Sequence, residues 1–452
     1  MEKKKNIIWE FFASVKLALF TFFILAGTSI VGTVIPQNSP PAEYVKFYGQ
    51  GGARMIQLLD FNDMYNSWWF LALLTAFSIN LIVCSLERLP NVWRMVVQDN
   101  LATEPARLAK MTPRHELTVG LTMDEAAARV EQLMGKAGWK PRLRAAGDGL
   151  MFFSQKGAWV RLGVYVVHIS ILIIFAGAII GSVFGYKASV YVPEAGGVTD
   201  RVFETGSTRE IPLGFQVRCD RFDLSYYANG APKEYRSDLT ILDNGQEVLK
   251  KSIVVNDPLD YKGITFYQAS YQAYDEYLVT IQNKVTGAQH TLRLAPGRQA
   301  NWPEAGVIVG IVNYQPPNQF GEYRVKLWFS DNKGVPSQFW LNSGGSAAVE
   351  RPEATYLVSA KQFFATGLQV AKDPGVWYVY IGCLLMLLGL LITFFLSHRR
   401  LWVYVSGVGG KTRILLAGSS NKNKVGFENT FEALAEEFKQ IDTLNQAGNR
   451  HE

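Results

Sequence analysis

Residues Trp159–Phe184 read WVRLGVYVVHISILIIFAGAIIGSVF. After Arg161 the stretch runs for more than twenty residues with one side chain that titrates near neutral pH, His168. At about 1.5 Å rise per residue that length crosses a hydrocarbon layer of roughly 30 Å. A helix turns about 100° per residue, so Gly163, Ser170, Gly177 and Gly181 fall close to one line, and Gly177, Gly181 and Gly185 repeat the small-xxx-small spacing that lets helices approach closely. His168 lies on the opposite side with Tyr165, Ile171, Leu172 and Phe175. One face is predicted to pack tightly while the other presents a nitrogen donor inside the membrane. An imidazole is costly to place there, which marks it as a functional candidate. A neutral histidine bonded to a neighbouring helix is the alternative.

Three further apolar stretches flank this one. Ser14–Ile35 is broken only by Lys16 near its start, and its length and lack of a small-x-small site before Pro36 predict a retained span, not a cleaved signal. Pro36–Ser67, with Pro36, Pro40, Pro41 and several glycines, is expected to be a loop. Trp68–Leu86 opens on an interfacial tryptophan pair, and Val376–Leu396 follows the turn Asp373-Pro374-Gly375 and closes on His398-Arg399-Arg400. Basic residues concentrate between spans two and three: Glu87–Ala158 holds 11 Lys/Arg, against two in the preceding loop, Lys46 and Arg54. That asymmetry predicts a cytoplasmic N-terminus, insert and tail, leaving Tyr186–Gly375, with 19 Lys/Arg and 20 Asp/Glu, outside.

Within the insert, Thr122 and Glu125 make a capping-box pattern for a helix from Thr122 to about Lys136, and Gly147-Asp148-Gly149 reads as a hairpin turn. The external region reads as β throughout. Tyr235–Leu242, the turn Asp243-Asn244-Gly245 and Glu247–Val255 form a hairpin, and alternating runs recur at 277–281, 291–294, 307–312 and 323–330. A β-sandwich or curled antiparallel sheet is expected. The tail carries alternating runs at 401–405 and 413–416 around Gly407–Gly410, then a helix from Asn429 to about Leu444. Insert and tail emerge on one side and each is small for an independent core. They are therefore predicted to pack as one α+β unit, burying Leu117, Val119 and Phe152 against Val403, Ile414 and Leu416.

The fold class expected is a multi-pass α-helical membrane protein of four spans, three plus one, with a large extracytoplasmic all-β domain and a small cytoplasmic α+β unit. Its segments are 1–86, two spans and their loop; 87–158, the insert; 159–185, the third span; 186–375, the β domain; 376–396, the fourth span; and 397–452, the tail. The three cysteines, Cys84, Cys219 and Cys383, form no CxxC pair and no zinc spacing. Redox enzymology has no dithiol to work with, the cytoplasmic segments hold no nucleotide-binding motif of the kind a receptor kinase needs, and the basic residues carry no nucleic-acid signature. A transporter would need several polar or broken helices at mid-membrane.

Several stretches together resemble one family. They are Leu17–Gln37 (LALFTFFILAGTSIVGTVIPQ), Tyr235-Arg-Ser-Asp-Leu239, Val255–Gly263 (VNDPLDYKG), Phe266-Tyr-Gln268, Gly367-Leu-Gln-Val370 and Lys372-Asp-Pro-Gly375, with the last span running into His398-Arg-Arg400. This arrangement covers essentially the whole chain and is similar to that of ResB (CcsB) proteins of the System II cytochrome c biogenesis pathway. The resemblance implies a non-catalytic subunit of a cytochrome c haem-lyase complex in the bacterial cytoplasmic membrane. Such a subunit helps carry haem b across the membrane and present it to apocytochrome c, together with a CcsA/ResC-type partner and the pathway's thiol-reducing thioredoxin-like proteins. It also implies an axial ligand to haem iron in the third span, and the matching position is His168. The other histidines, His115, His290, His398 and His451, lie outside the spans or at an end, so a second iron ligand is expected from another chain. Some relatives use a thiol in haem handling, and neither Cys219 nor a membrane cysteine is matched to it. The competing reading is a membrane scaffold that docks apocytochrome c or a partner without binding haem.

Overall fold

The computed structural model describes residues 6–440. The basic start at Lys3–Lys5, the far end of the helix expected to reach Leu444, and His451 lie outside the described residues.

In chain order the N-terminal elements are α1 (Ile7–Phe12), α2 (Val15–Val34), α3 (Pro41–Leu58), α4 (Trp68–Val97), α5 (Pro105–Leu108), β1 (Arg114–Val119), α6 (Met123–Lys136), β2 (Arg142–Ala146), β3 (Gly149–Lys156) and α7 (Gly163–Phe184). The β-rich part follows as β4 (Tyr186–Pro193), β5 (Gly197–Glu204), β6 (Glu210–Tyr226), β7 (Pro232–Asp243), β8 (Gln246–Ile253), β9 (Leu259–Tyr261), β10 (Ile264–Asn283), β11 (Gln289–Leu294), β12 (Gln299–Trp302), β13 (Val307–Gln315), β14 (Arg324–Ser330), β15 (Ser337–Asn342), β16 (Ser346–Glu350) and β17 (Thr355–Lys372). The chain closes with α8 (Val376–Phe395), β18 (Arg399–Val408), β19 (Lys411–Ser420) and α9 (Lys424–Lys439). Four helices, α2, α4, α7 with the 3₁₀ turn before it, and α8, are long and apolar enough to cross a bilayer. The chain divides into two compact units, Met1–Ala178 with Trp377–Glu452, and Ile179–Val376.

In the first unit, β1, β19, β18, β3 and β2 form one five-stranded antiparallel sheet. Strand β18 pairs with β19 on one side and with β3 on the other, so chain segments more than two hundred residues apart are hydrogen-bonded neighbours. The driver is burial on one face: Val119, Phe152, Val403, Ile414 and Leu416 share a core with Val130 and Met134 of α6 and Phe427, Phe431 and Phe438 of α9, with Leu117 partly buried against it. Helix α6 begins where its capping box predicts, with Thr122 accepting from the Glu125 amide and Glu125 Oε2 accepting from the Thr122 amide at 3.0 Å. The β18–β19 turn uses Gly409 and Gly410 at φ 56° and 79°, a left-handed pair that residues with a Cβ seldom adopt.

Three local expectations are corrected. The stretch between the first two spans is largely helical: Pro41 enters at the first turn of α3, where a missing N–H costs nothing, and Tyr44, Ala53 and Ile56 are buried. Only Gly49, at φ 70°, keeps a break in it. The second span's helix continues past Leu86 to Val97, through Pro90, because the helix outlasts its apolar stretch. Helix α9 starts at Lys424, earlier than Asn429, since Asn423 caps it by accepting from the Gly426 amide.

The second unit is antiparallel β. A ten-stranded sheet runs β11-β10-β17-β4-β5-β6-β7-β8, with β16 and β9 pairing off this path, and a four-stranded sheet runs β12-β13-β14-β15. It contains two cores. One gathers Val217, Cys219, Phe222, Leu239, Ile241 and Phe266; the other gathers Tyr277, Val279, Ile281, Val309, Leu327, Phe329 and Val358. Strands β10 and β17 are long enough to line both, with register shifts at Gln268/Ser270 and Ala273/Tyr277 where β10 bends from one to the other. Buried Glu194 holds the bend, accepting from the amides of Phe222 (3.1 Å) and Phe364 (2.9 Å) and pairing with Lys361 at 2.6 Å, so its charge is fully compensated.

Candidate functional site

Helix α7 is held on two sides. Its small-residue face, Gly163, Ser170 and Gly177, is buried. The element against it is α8, whose Gly382 and Gly389 carry the matching seven-residue spacing. A Cβ on Gly382 would stand 2.6 Å from Ile174 Cγ1 and 2.9 Å from the Ser170 carbonyl, and one on Gly389 2.8 Å from Val167 Cγ2. Those separations are shorter than any side chain tolerates, so glycine is what permits the contact. Because Gly163 meets Thr393 and Gly382 meets Ser170, the two helices run antiparallel, and the start of α7 lies beside the end of α8.

The opposite face meets α4. Phe175 packs on Phe77 with ring centroids 6.2 Å apart, and Ile171 and Phe175 close the small core of Leu25, Met64, Phe70 and Phe77. Part of the apolar face expected around His168 is thus used for helix packing. His168 itself is half-buried, with Tyr165 edge-on at 6.2 Å. Its Nδ1 lies 2.8 Å from the Ser85 hydroxyl on α4, either group able to donate. No hydrogen-bond partner stands at Nε2 among the described residues, so that nitrogen is the one left for an outside ligand. His168 lies seven residues past Arg161, about 10 Å along the helix, and is nearer the middle of the span Ala158–Phe184 than either end.

The remaining described histidines lie outside the spans and make other contacts. His115 Nε2 pairs with Glu432 at 2.6 Å and stacks on Phe431. His290 stacks on Trp302 at 5.5 Å. His398 is 1% exposed; its Nδ1 accepts from Arg161 Nε at 2.8 Å and its Nε2 meets Gln155 Oε1 at 3.0 Å. Burial, with Arg161 and Arg400 nearby, lowers its pKa to about 4, so it is neutral. The thiols offer little chemistry. Cys219 is fully buried in the β core, and burial pushes its pKa up to about 12, which makes it an inert hydrophobe. No cluster of three or more potential metal ligands occurs among the described residues.

Several stretches that carry the family resemblance have structural work in the β unit. Ser237, Gln268 and Thr366, all buried, form a closed triad: the Ser237 hydroxyl contacts Gln268 Oε1 at 2.5 Å and Thr366 Oγ1 at 2.8 Å, and Thr366 donates to Gln268 Oε1 at 2.9 Å. The 255–263 stretch builds the β9–β10 turn, where Asp243 receives Tyr261 and Lys262 at 2.7 and 2.6 Å. Ser85 is the residue that sequence reasoning missed. A serine in a span usually bonds its own helix, and nothing local says that this one faces His168.

A family model described as the ResB-like family matches residues 15–318 and 330–432. The chain is similar to "Cytochrome c biogenesis protein CcsB" of Synechococcus sp. (strain JA-2-3B'a(2-13)), 31% identical over 461 residues and covering 96% of this chain and 92% of that protein. It is also similar to the CcsB of Gloeobacter violaceus, 30% identical over 92% of this chain and 87% of that one. The third is "Cytochrome c biogenesis protein Ccs1" of Porphyra purpurea, 25% identical over 94% and 95%.

Proposed function

Since this chain belongs to the ResB-like family, we propose that it is a membrane subunit of the cytochrome c maturation machinery that helps carry haem across the bilayer and present it to apocytochrome c. The observation that carries this reading is the intramembrane imidazole of His168, held at Nδ1 by Ser85 and open at Nε2. Neutral imidazole is a good axial donor to haem iron. In this reading the Nδ1–H donates to the Ser85 hydroxyl, which fixes the tautomer, orients the ring and leaves the Nε2 lone pair for the iron of the transported haem. The other described histidines lie outside the four spans, so in this reading the second axial ligand comes from a partner of CcsA/ResC type. The subunit contributes binding and orientation; bond formation to the cytochrome thiols, kept reduced by thioredoxin-like proteins, belongs to the complex.

The Lys/Arg bias puts the five-stranded sheet inside and the β unit outside, where apocytochrome c is met. Impermeant thiol reagents added to intact cells should label cysteines introduced at Val285 or Val335 and not at Leu143; the reverse pattern refutes this orientation. The ligand is tested with His168→Ala. Haem copurifying with the complex should fall sharply, and external imidazole, which replaces the missing donor, should restore part of the absorption spectrum. Full haem content with unchanged bands would end the ligand assignment and favour the scaffold reading.

A further inference from the structure

The first unit carries a cluster of arginines that has no acidic counterpart among the described residues. It sits at the end of the five-stranded sheet nearest the helices, where β18 leaves α8 and β3 leads into α7. Cross-strand partners share a face, so Arg400 of β18, its neighbour Gln155 of β3 and its neighbour Ser419 of β19 lie together. This is the same face that, one pair further on, buries Trp402, Phe153 and Ala417. Arg161, in the turn before α7, is brought to this face by donating to His398 Nδ1 at 2.8 Å. His398 passes the order on: its Nε2–H donates to Gln155 Oε1, and Gln155 Nε2 donates to the Val96 carbonyl at the end of α4 at 3.1 Å. Arg161 is therefore positioned by a fixed polar chain that uses only one edge of its guanidinium.

Three features give this cluster the character of an anion site. Arg400 and Arg161 are both half-buried, and neither forms an ion pair among the described residues. Arg400 lies over the Trp402 ring at 5.3 Å, and burial plus the charges of Arg161 and Arg107 disfavour its cationic form. The Ser419 hydroxyl oxygen is buried with no hydrogen-bond partner, an unmet donor beside two unmet cations. An anion answers all three, and a phosphate has the oxygens to accept from a guanidinium fork and a hydroxyl at once.

We propose that Arg400, Arg161 and the Ser419 hydroxyl bind the phosphate of an anionic membrane lipid at the junction of α7, α8 and the five-stranded sheet. The location favours a lipid over a soluble anion. Arg161 stands two residues before α7, Arg400 follows the last residue of α8, Phe395, by five positions, and Lys422 Nζ stands 5.9 Å over the ring of Phe394 in the last turn of α8. All three cations are thus at headgroup depth, where basic pockets between helices take acidic lipids. Such a lipid would neutralise the charge where sheet and helices meet and hold them in register.

The test uses the purified full-length protein in nanodiscs of phosphatidylcholine with or without phosphatidylglycerol. Tightly held lipid is counted by native mass spectrometry, and the melting temperature is followed alongside. Wild type should retain phosphatidylglycerol and melt higher with it. Arg400→Gln and Ser419→Ala, chosen because Arg161 also supports His398, should weaken that retention roughly tenfold, while Lys411→Gln, which removes a charge elsewhere, should not. Equal retention in Arg400→Gln and wild type overturns the proposal. So does inorganic phosphate in phosphatidylcholine discs reproducing the full melting shift, which makes the ligand a soluble anion, or loss of copurified haem with lipid count unchanged, which reassigns the arginines to another acid.

Discussion

Replacing Ser85 with Ala removes one oxygen and leaves every helix intact, so it isolates the orientation of His168. The contact is a neutral hydrogen bond of 2.8 Å in an apolar setting. Such a bond contributes about 0.5–1.5 kcal/mol to stability. Loss of a group that orients a metal-binding histidine typically weakens the metal 10–100-fold, or about 1.4–2.7 kcal/mol at 1.36 kcal/mol per decade. The two ranges meet near 1.4 kcal/mol, so the haem dissociation constant should rise roughly tenfold. The assay is haem titration of the purified complex followed in the Soret band, with the iron–imidazole stretching frequency read by resonance Raman on the reduced form. A ring released from Ser85 should shift that frequency, which a change in global stability alone does not do. Ser85→Thr keeps the hydroxyl and should stay near wild type. If Ser85→Ala binds haem with unchanged affinity and frequency while His168→Ala loses it, the ligand assignment stands and the orienting role of Ser85 is refuted. If both variants keep their haem, the ligand assignment itself fails.

Two further outcomes follow from the five-stranded sheet. Deleting residues 401–452 removes most of β18 and all of β19 and α9, which strips β1 of its pairing partner and β3 of one of its two among the described residues. The insert should then be cut by protease between Arg114 and Lys156 under conditions where the full chain resists; an unchanged digestion pattern would show that the insert folds alone. The buried His398 makes this unit acid-sensitive. Its folded pKa is about 4, below the ordinary 6.5, so the unfolded chain takes up the proton first. The stability tied to its neutral form is complete above pH 6.5 and lost as pH falls toward 4, on the order of 3 kcal/mol in all. Melting curves across that window should show the decline, and His398→Gln should flatten it; an equally steep curve in the variant would mean that other groups carry the acid response.

Much of this protein is written in local chemistry. A span is a property of twenty consecutive side chains, so the four membrane helices, His168 within the third and the glycine line behind it are legible without any partner. The same holds for the Thr122–Glu125 capping box and for the hairpins turned by Gly147-Asp148-Gly149 and Asp243-Asn244-Gly245, whose signals lie within a few residues of the structure they produce. Partner choice is a different kind of information. Leu117 or Val403 is apolar in any context, and only the closed sheet decides that β18 separates β3 from β19 and that both faces of β18 are covered. The alternating run at 277–281 reads as one short strand, but it is part of β10, which with β17 continues through two cores, and Glu194 accepts from the amides of Phe364 in β17 and Phe222 in β6. Prolines and glycines in 41–58 read as a loop, yet burial of Tyr44, Ala53 and Ile56 outweighs their low helix propensity. The site divides the same way: the imidazole comes from one helix's sequence, whereas Ser85 at its Nδ1, Gly382 and Gly389 behind it and the meeting of Arg400 with Ser419 depend on which surfaces pack together. Hydrophobic burial is non-directional and acts between segments far apart in the chain, so those pairings exist only in the folded state.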